Sequence, residues 1–144
     1  MASFKNYKCT KFTWHKVGNL YQIDDEFTIA LEDEKFKYVL TILPGFRTDG
    51  GSIPKIFNWF AKGWTDDYEY NAIYILHDAL YCTEYVCKEI ADDMLRSCLR
   101  DYGFDRLHAS TIHWCVDMFA KCHYGIKHDE NDNYDFVKFD VIMK

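Results

Sequence analysis

In the stretch YILHDALYCTEYVCKEIADDML, Tyr74 to Leu95, a histidine and an aspartate stand side by side inside an apolar helical pattern, and an Asp-Asp pair interrupts the next one. Burying charge is costly unless the group is paired or used. A carboxylate that accepts from one ring nitrogen of a histidine fixes its tautomer, raises its basicity and leaves the other nitrogen to take a proton from water or a substrate. His77 and Asp92 are candidates for that work, with Tyr81 as a hydrogen-bond donor to the pair. Asp78 and Asp49 are candidate carboxylate ligands for a cation, completed by backbone carbonyls around Gly50 and Gly51. Calcium or magnesium suits such oxygen donors. A buried pair that only orients two helices would use the same His77 and Asp92.

The elements that must position these groups are legible from spacing. Ile73, Leu76, His77 and Leu80 recur every three or four residues, which predicts a helix over about 66–82 with His77 on its buried stripe. Tyr81 lies one turn further along the same side. Ile90, Ala91, Met94, Leu95, Cys98 and Leu99 predict a second helix over about 86–102, ended by Gly103. Asp92 falls at the border of its apolar face, and Asp93 a step further round, toward water. The link TEYV is short, and short links favour antiparallel neighbours. His77 and Asp92 then come level across helix axes ~8–10 Å apart. A third helix is expected over about 106–123, with Asp105 as N-cap and Gly125 as its stop; Asp66 and Asp67 cap the first. His108, His113 and His123 lack the spacing of a zinc-ligand pair and read as satisfied or exposed.

Upstream, FTIALEDEKFKYVLTIL alternates apolar and polar residues on either side of a charged turn, so residues 21–43 read as a hairpin. The segment through Trp14 and Tyr21 is a candidate edge strand. PGFRTDGGSIP, Pro44 to Pro54, is a structured loop in which Gly50 and Gly51 let the backbone approach a ligand or ion closely. Arg47 in that loop could meet a carboxylate or phosphate, or tie the loop to Asp49. After a solvated turn at KHDENDNYD, the chain returns as a strand in FVKFDVIMK. The expected class is α+β: an N-terminal antiparallel hairpin or sheet, a glycine-rich loop, a three-helix bundle and a C-terminal strand, in one domain over 1–144.

Composition narrows the function classes. The net charge is -6 over 144 residues, and basic residues are scattered among acids, which argues against a dedicated nucleic-acid binder. No signal peptide or membrane-length apolar run is visible, so a cytoplasmic protein is expected. Cys9, Cys82, Cys87, Cys98, Cys115 and Cys122 include no Cys-x-x-Cys spacing and read as buried free thiols.

The motifs FRTDGGSIP, HDALY and the downstream Ala91–Asp92, in that order, resemble the phage- and prophage-associated family catalogued as domain of unknown function 1353. The match runs from about Phe46 to Leu99 and implies a phage origin and an approximate architecture. The His-Asp-x-x-Tyr helix followed by a later aspartate is also similar to the active-site pattern of phospholipases A2. That resemblance implies that His77 activates water, Asp92 orients it, and Asp78 binds calcium with the loop around Gly50 and Gly51. The paired cysteines that precede the histidine in the secreted phospholipases are missing here, and the loop lies further upstream. The leading expectation is a small phage-encoded hydrolase acting on a lipid ester or, second, a cell-wall bond. One alternative is a non-enzymatic virion, tail-associated or host-interaction protein, which abundant aromatics and an acidic surface fit equally well. Another is a metal-dependent phosphohydrolase, needing further histidines such as His113 or His123 from the third helix.

Overall fold

A computed structural model describes residues 3–48, 64–119 and 134–144 of the chain. The Asp49, Gly50 and Gly51 segment lies outside the described residues, as do residues 120–133, on which the expected end of the third helix with Cys122, His123 and Gly125 and most of the expected acidic turn fall. The class is α+β, as expected.

Two antiparallel sheets form. The larger orders its strands β1 (Lys5–Cys9), β4 (Phe27–Glu32), β5 (Phe36–Ile42) and β7 (Val137–Met143). The predicted hairpin is β4 and β5, in register from Phe27–Ile42 to Glu32–Lys37. Phe27, Ile29 and Leu31 turn one face inward while their neighbours stay partly exposed, the period-two pattern of a sheet covered on one side. The returning C-terminal strand pairs along the outer edge of β5, from Ile42–Val137 to Phe36–Met143.

The N-terminal strands divide between two sheets. β2 (Trp14–Val17) and β3 (Leu20–Ile23) form their own hairpin, and β3 also pairs with β6 (Arg47–Thr48). Tyr21 therefore belongs to this second sheet and not to the hairpin with β5. Part of the expected loop is thus strand: Gly45, at φ +106, turns the chain so that Arg47 and Thr48 lie beside Gln22 and Tyr21. Arg47 Nε donates to Gln22 Oε1 at 3.0 Å.

The helical layer consists of α1 (Tyr68–Thr83), α2 (Lys88–Tyr102) and α3 (Arg106–Phe119). Asp67 caps α1 by accepting from the Glu69 amide, Asp105 accepts from the His108 amide, and Gly103 ends α2. α1 is not a surface helix with one apolar stripe. Residues on every side of it, from Tyr70 to Tyr81, are buried, because it runs through the centre of the core. α2 packs on α1, on α3 and on β1, where Ser97 Oγ accepts from the Phe4 amide.

The cysteines depart from expectation in burial. Cys9, Cys82, Cys87 and Cys98 are free, but only Cys98 of these is buried and Cys87 is exposed just before α2.

Candidate active site

The αα-hairpin brings the predicted pair together. His77 stands on α1 about two turns before its left-handed terminus at Glu84, and Asp92 stands in the second turn of α2. His77 Nε2 lies 2.8 Å from Asp92 Oδ1. Both are buried, at 7% and 1% of full exposure.

Asp92 gathers two further donors. The Tyr81 hydroxyl donates to Oδ1 at 2.5 Å, and Lys88 Nζ donates to Oδ2 at 2.7 Å. Burial pushes the Asp92 carboxyl up, but the hydrogen bonds from His77, Lys88 and Tyr81 outweigh it and hold the group below its ordinary value. An ionised carboxylate only accepts, so the shared proton sits on Nε2 of His77. Nδ1 is then the basic nitrogen of the neutral ring, and no described residue hydrogen-bonds it.

Burial also sets the charge of His77. Loss of hydration depresses its pKa below 6.5; the bond to Asp92 works the other way, and the positive charge of Lys88 adds to the depression. His77 is therefore neutral at pH 7 and able to accept a proton. Lys88 has a second effect: it offsets the carboxylate charge that would otherwise stabilise the imidazolium.

The signs of these shifts give a pH prediction. His77 binds protons less readily folded than unfolded, so its contribution to stability is full above about pH 6.5 and is lost as pH falls toward the depressed folded value. Asp92 acts in the same direction in a lower window, below 3.8. Urea unfolding is expected to show lower stability at about pH 5 than at about pH 7.5, with a shallower slope in His77→Gln. Equal slopes in the two proteins would contradict the assignment.

Asp93 departs from expectation. It does not face water but is buried at 7%, and its Oδ1 lies 3.1 Å from Nε2 of His113 on α3. Consecutive aspartates on α2 thus point to different partner helices, one to α1 and one to α3. His113 is a satisfied histidine engaged by Asp93.

Asp78 is half-buried, and its Oδ2 accepts from the Thr48 hydroxyl at 2.5 Å. Thr48 ends β6, so the smaller sheet delivers its hydroxyl to the carboxylate beside His77. An oxygen-only carboxylate there fits the donor chemistry of calcium or magnesium. Among the described residues no group of three or more His, Cys, Asp and Glu side chains is placed to hold a metal ion. The remaining proposed ligands, Asp49 and the backbone at Gly50 and Gly51, lie outside the described residues.

Lys88 was missed by the motif reading. The i, i+4 spacing of Lys88 and Asp92 was the available signal.

No helix among the described residues is long and apolar enough to cross a membrane. Searches of curated proteins and of solved structures return no match. The profile of the family described as Protein of unknown function (DUF1353) matches residues 21–116, a span that contains both β-hairpin strands β4 and β5, the His77–Asp78 doublet and Asp92. That span is more than half of the chain, and the protein belongs to the DUF1353 family.

Proposed function

We propose that this DUF1353 protein is a small phage-encoded hydrolase in which His77 is the general base. The observation that carries the reading is the 2.8 Å contact between His77 Nε2 and Asp92 Oδ1, which leaves Nδ1 as the proton acceptor. In the reaction, Nδ1 takes a proton from water as the water oxygen bonds to the carbonyl carbon of an ester. Asp92 keeps the ring oriented by accepting from Nε2, while Tyr81 and Lys88 fix the carboxylate. The same proton then passes to the departing alkoxide as the carbon–oxygen bond breaks. A calcium or magnesium ion held by Asp78, with Asp49 and the Gly50–Gly51 backbone, would polarise the carbonyl when bound. A lipid ester is the first substrate class and a cell-wall bond the second. The place of action is the host cytoplasm or the virion.

One observation favours a second reading. Asp92 carries three donors and is almost sealed, which also suits an ionic knot that holds α1 against α2 in a non-enzymatic phage or host-interaction protein. A metal-dependent phosphohydrolase has less support, because His113 is engaged by Asp93.

The test is hydrolysis of micellar phospholipid esters and of purified cell-wall fragments by the wild-type protein, with calcium or magnesium added and then chelated. Turnover of one substrate that falls on chelation is expected. No turnover of either substrate with both ions supplied would leave the second reading.

A further inference from the structure

Arg96 lies on α2 four residues after Asp92 and three after Asp93, so helical geometry sets its stem on the strip of surface between them. Asp92 reaches toward α1 through His77, and Asp93 toward α3 through His113. The strip therefore runs along the valley in which α1 and α3 flank α2. Glu89 and Arg100, on the same side, are exposed, so the valley opens to solvent at these two positions.

Both carboxylates within one helical turn of Arg96 are engaged elsewhere, Asp92 with His77, Tyr81 and Lys88, and Asp93 with His113. Arg96 is left half-buried, its Nε shut off from solvent with no hydrogen-bond partner. Its guanidinium makes no hydrogen bond or ion pair with any described residue. A buried donor without an acceptor is rare in native proteins and calls for a cause. Arg100, one turn further along the same strip, spends one nitrogen on a long 3.4 Å bond to the Phe104 carbonyl. Two like charges at i, i+4 repel each other unless an anion lies between them.

We infer that Arg96, with Arg100 at the outer end of the valley, binds the phosphate group of a ligand beside His77. A guanidinium is a planar fork that meets two phosphate oxygens at once, and it does so most strongly where water is partly excluded. The inference deepens the hydrolase reading by giving the substrate a phosphate. The source is either a soluble phosphate compound or a phospholipid headgroup.

Two probes distinguish these sources: inorganic phosphate, titrated calorimetrically at constant ionic strength, and phosphatidylglycerol vesicles, followed by co-sedimentation. Wild type is expected to bind at least one; phosphate alone points to a soluble ligand, and vesicles alone to a headgroup. Arg96→Met, which keeps the stem, weakens binding about tenfold or more, and Arg96→Lys falls between the two because it keeps charge without the fork. Phosphate binding is read without turnover, so it survives even if no hydrolysis is found. Failure of wild type to bind either probe overturns the inference. So does binding that Arg96→Met and Arg96→Lys leave unchanged.

Discussion

Asp92→Ala is expected to lower stability by about 3–5 kcal/mol, the usual result of removing one partner from a buried ion pair. One carboxylate serves three donors, so alanine takes this acceptor from all of them at once: Lys88 Nζ, the Tyr81 hydroxyl and His77 Nε2. The Lys88 side chain keeps only 12% of its exposure, so losing the carboxylate beside its charge is costly. A domain of this size is stable by about 5–15 kcal/mol, so the loss is a large fraction of the whole. Urea unfolding at neutral pH measures it, and Lys88→Met in the same background should recover part of the loss by removing a charge that has lost its carboxylate. Asp92→Asn, which keeps the shape but not the charge, should fall between wild type and alanine. A loss below about 1 kcal/mol in Asp92→Ala would mean that the network is not the bond between α1 and α2 described above.

His77→Gln carries the largest expected functional effect. Glutamine is polar and of similar reach, so it keeps a donor available to Asp92 while removing the basic nitrogen. If His77 is the general base, turnover should fall by about 10²–10⁴-fold while the melting temperature changes little. His77→Ala is the poorer probe, because it also leaves a cavity and strips Asp92 of a donor. Asp92→Asn combined with His77→Gln should cost little more activity than His77→Gln alone, since a group that acts through the base has nothing left to orient. An activity loss that only follows the fraction unfolded would assign His77 to the fold and not to chemistry.

The helical hairpin was the most legible part of the molecule. Strong periodicity in α1 and α2, joined by a short link, was enough to bring His77 level with Asp92, because antiparallel packing leaves little freedom in register. The main hairpin and the returning strand were legible for a similar reason: β4 and β5 alternate cleanly, and so does the first part of β7. What failed was whatever depended on layers beyond a single element. A single apolar face on α2 puts Asp93 toward solvent, whereas α2 is covered by α1, α3 and β1. β1 is short and mostly exposed, with a register irregularity between Lys5 and Lys8, and it carries no clean pattern. β6 is two residues long and exists only because β3 lies beside it. Lys88 was legible and overlooked: its distance from Asp92 is the ordinary helical ion-pair spacing.

The pairing of β5 with β7 has a consequence for how the chain reaches this state. β5 meets β4 almost at once through a tight turn, but its other edge must wait for β7, and the whole helical layer comes between them in the chain. During synthesis on the ribosome, that edge carries unpaired amides and carbonyls while α1, α2 and α3 are still emerging. Closing so long a loop is entropically slow, so assembly of the larger sheet is expected to be a late kinetic event that follows helix docking. In that interval the nascent chain is most exposed to joining strands with a neighbour, and crowded polysomes are where such errors would collect.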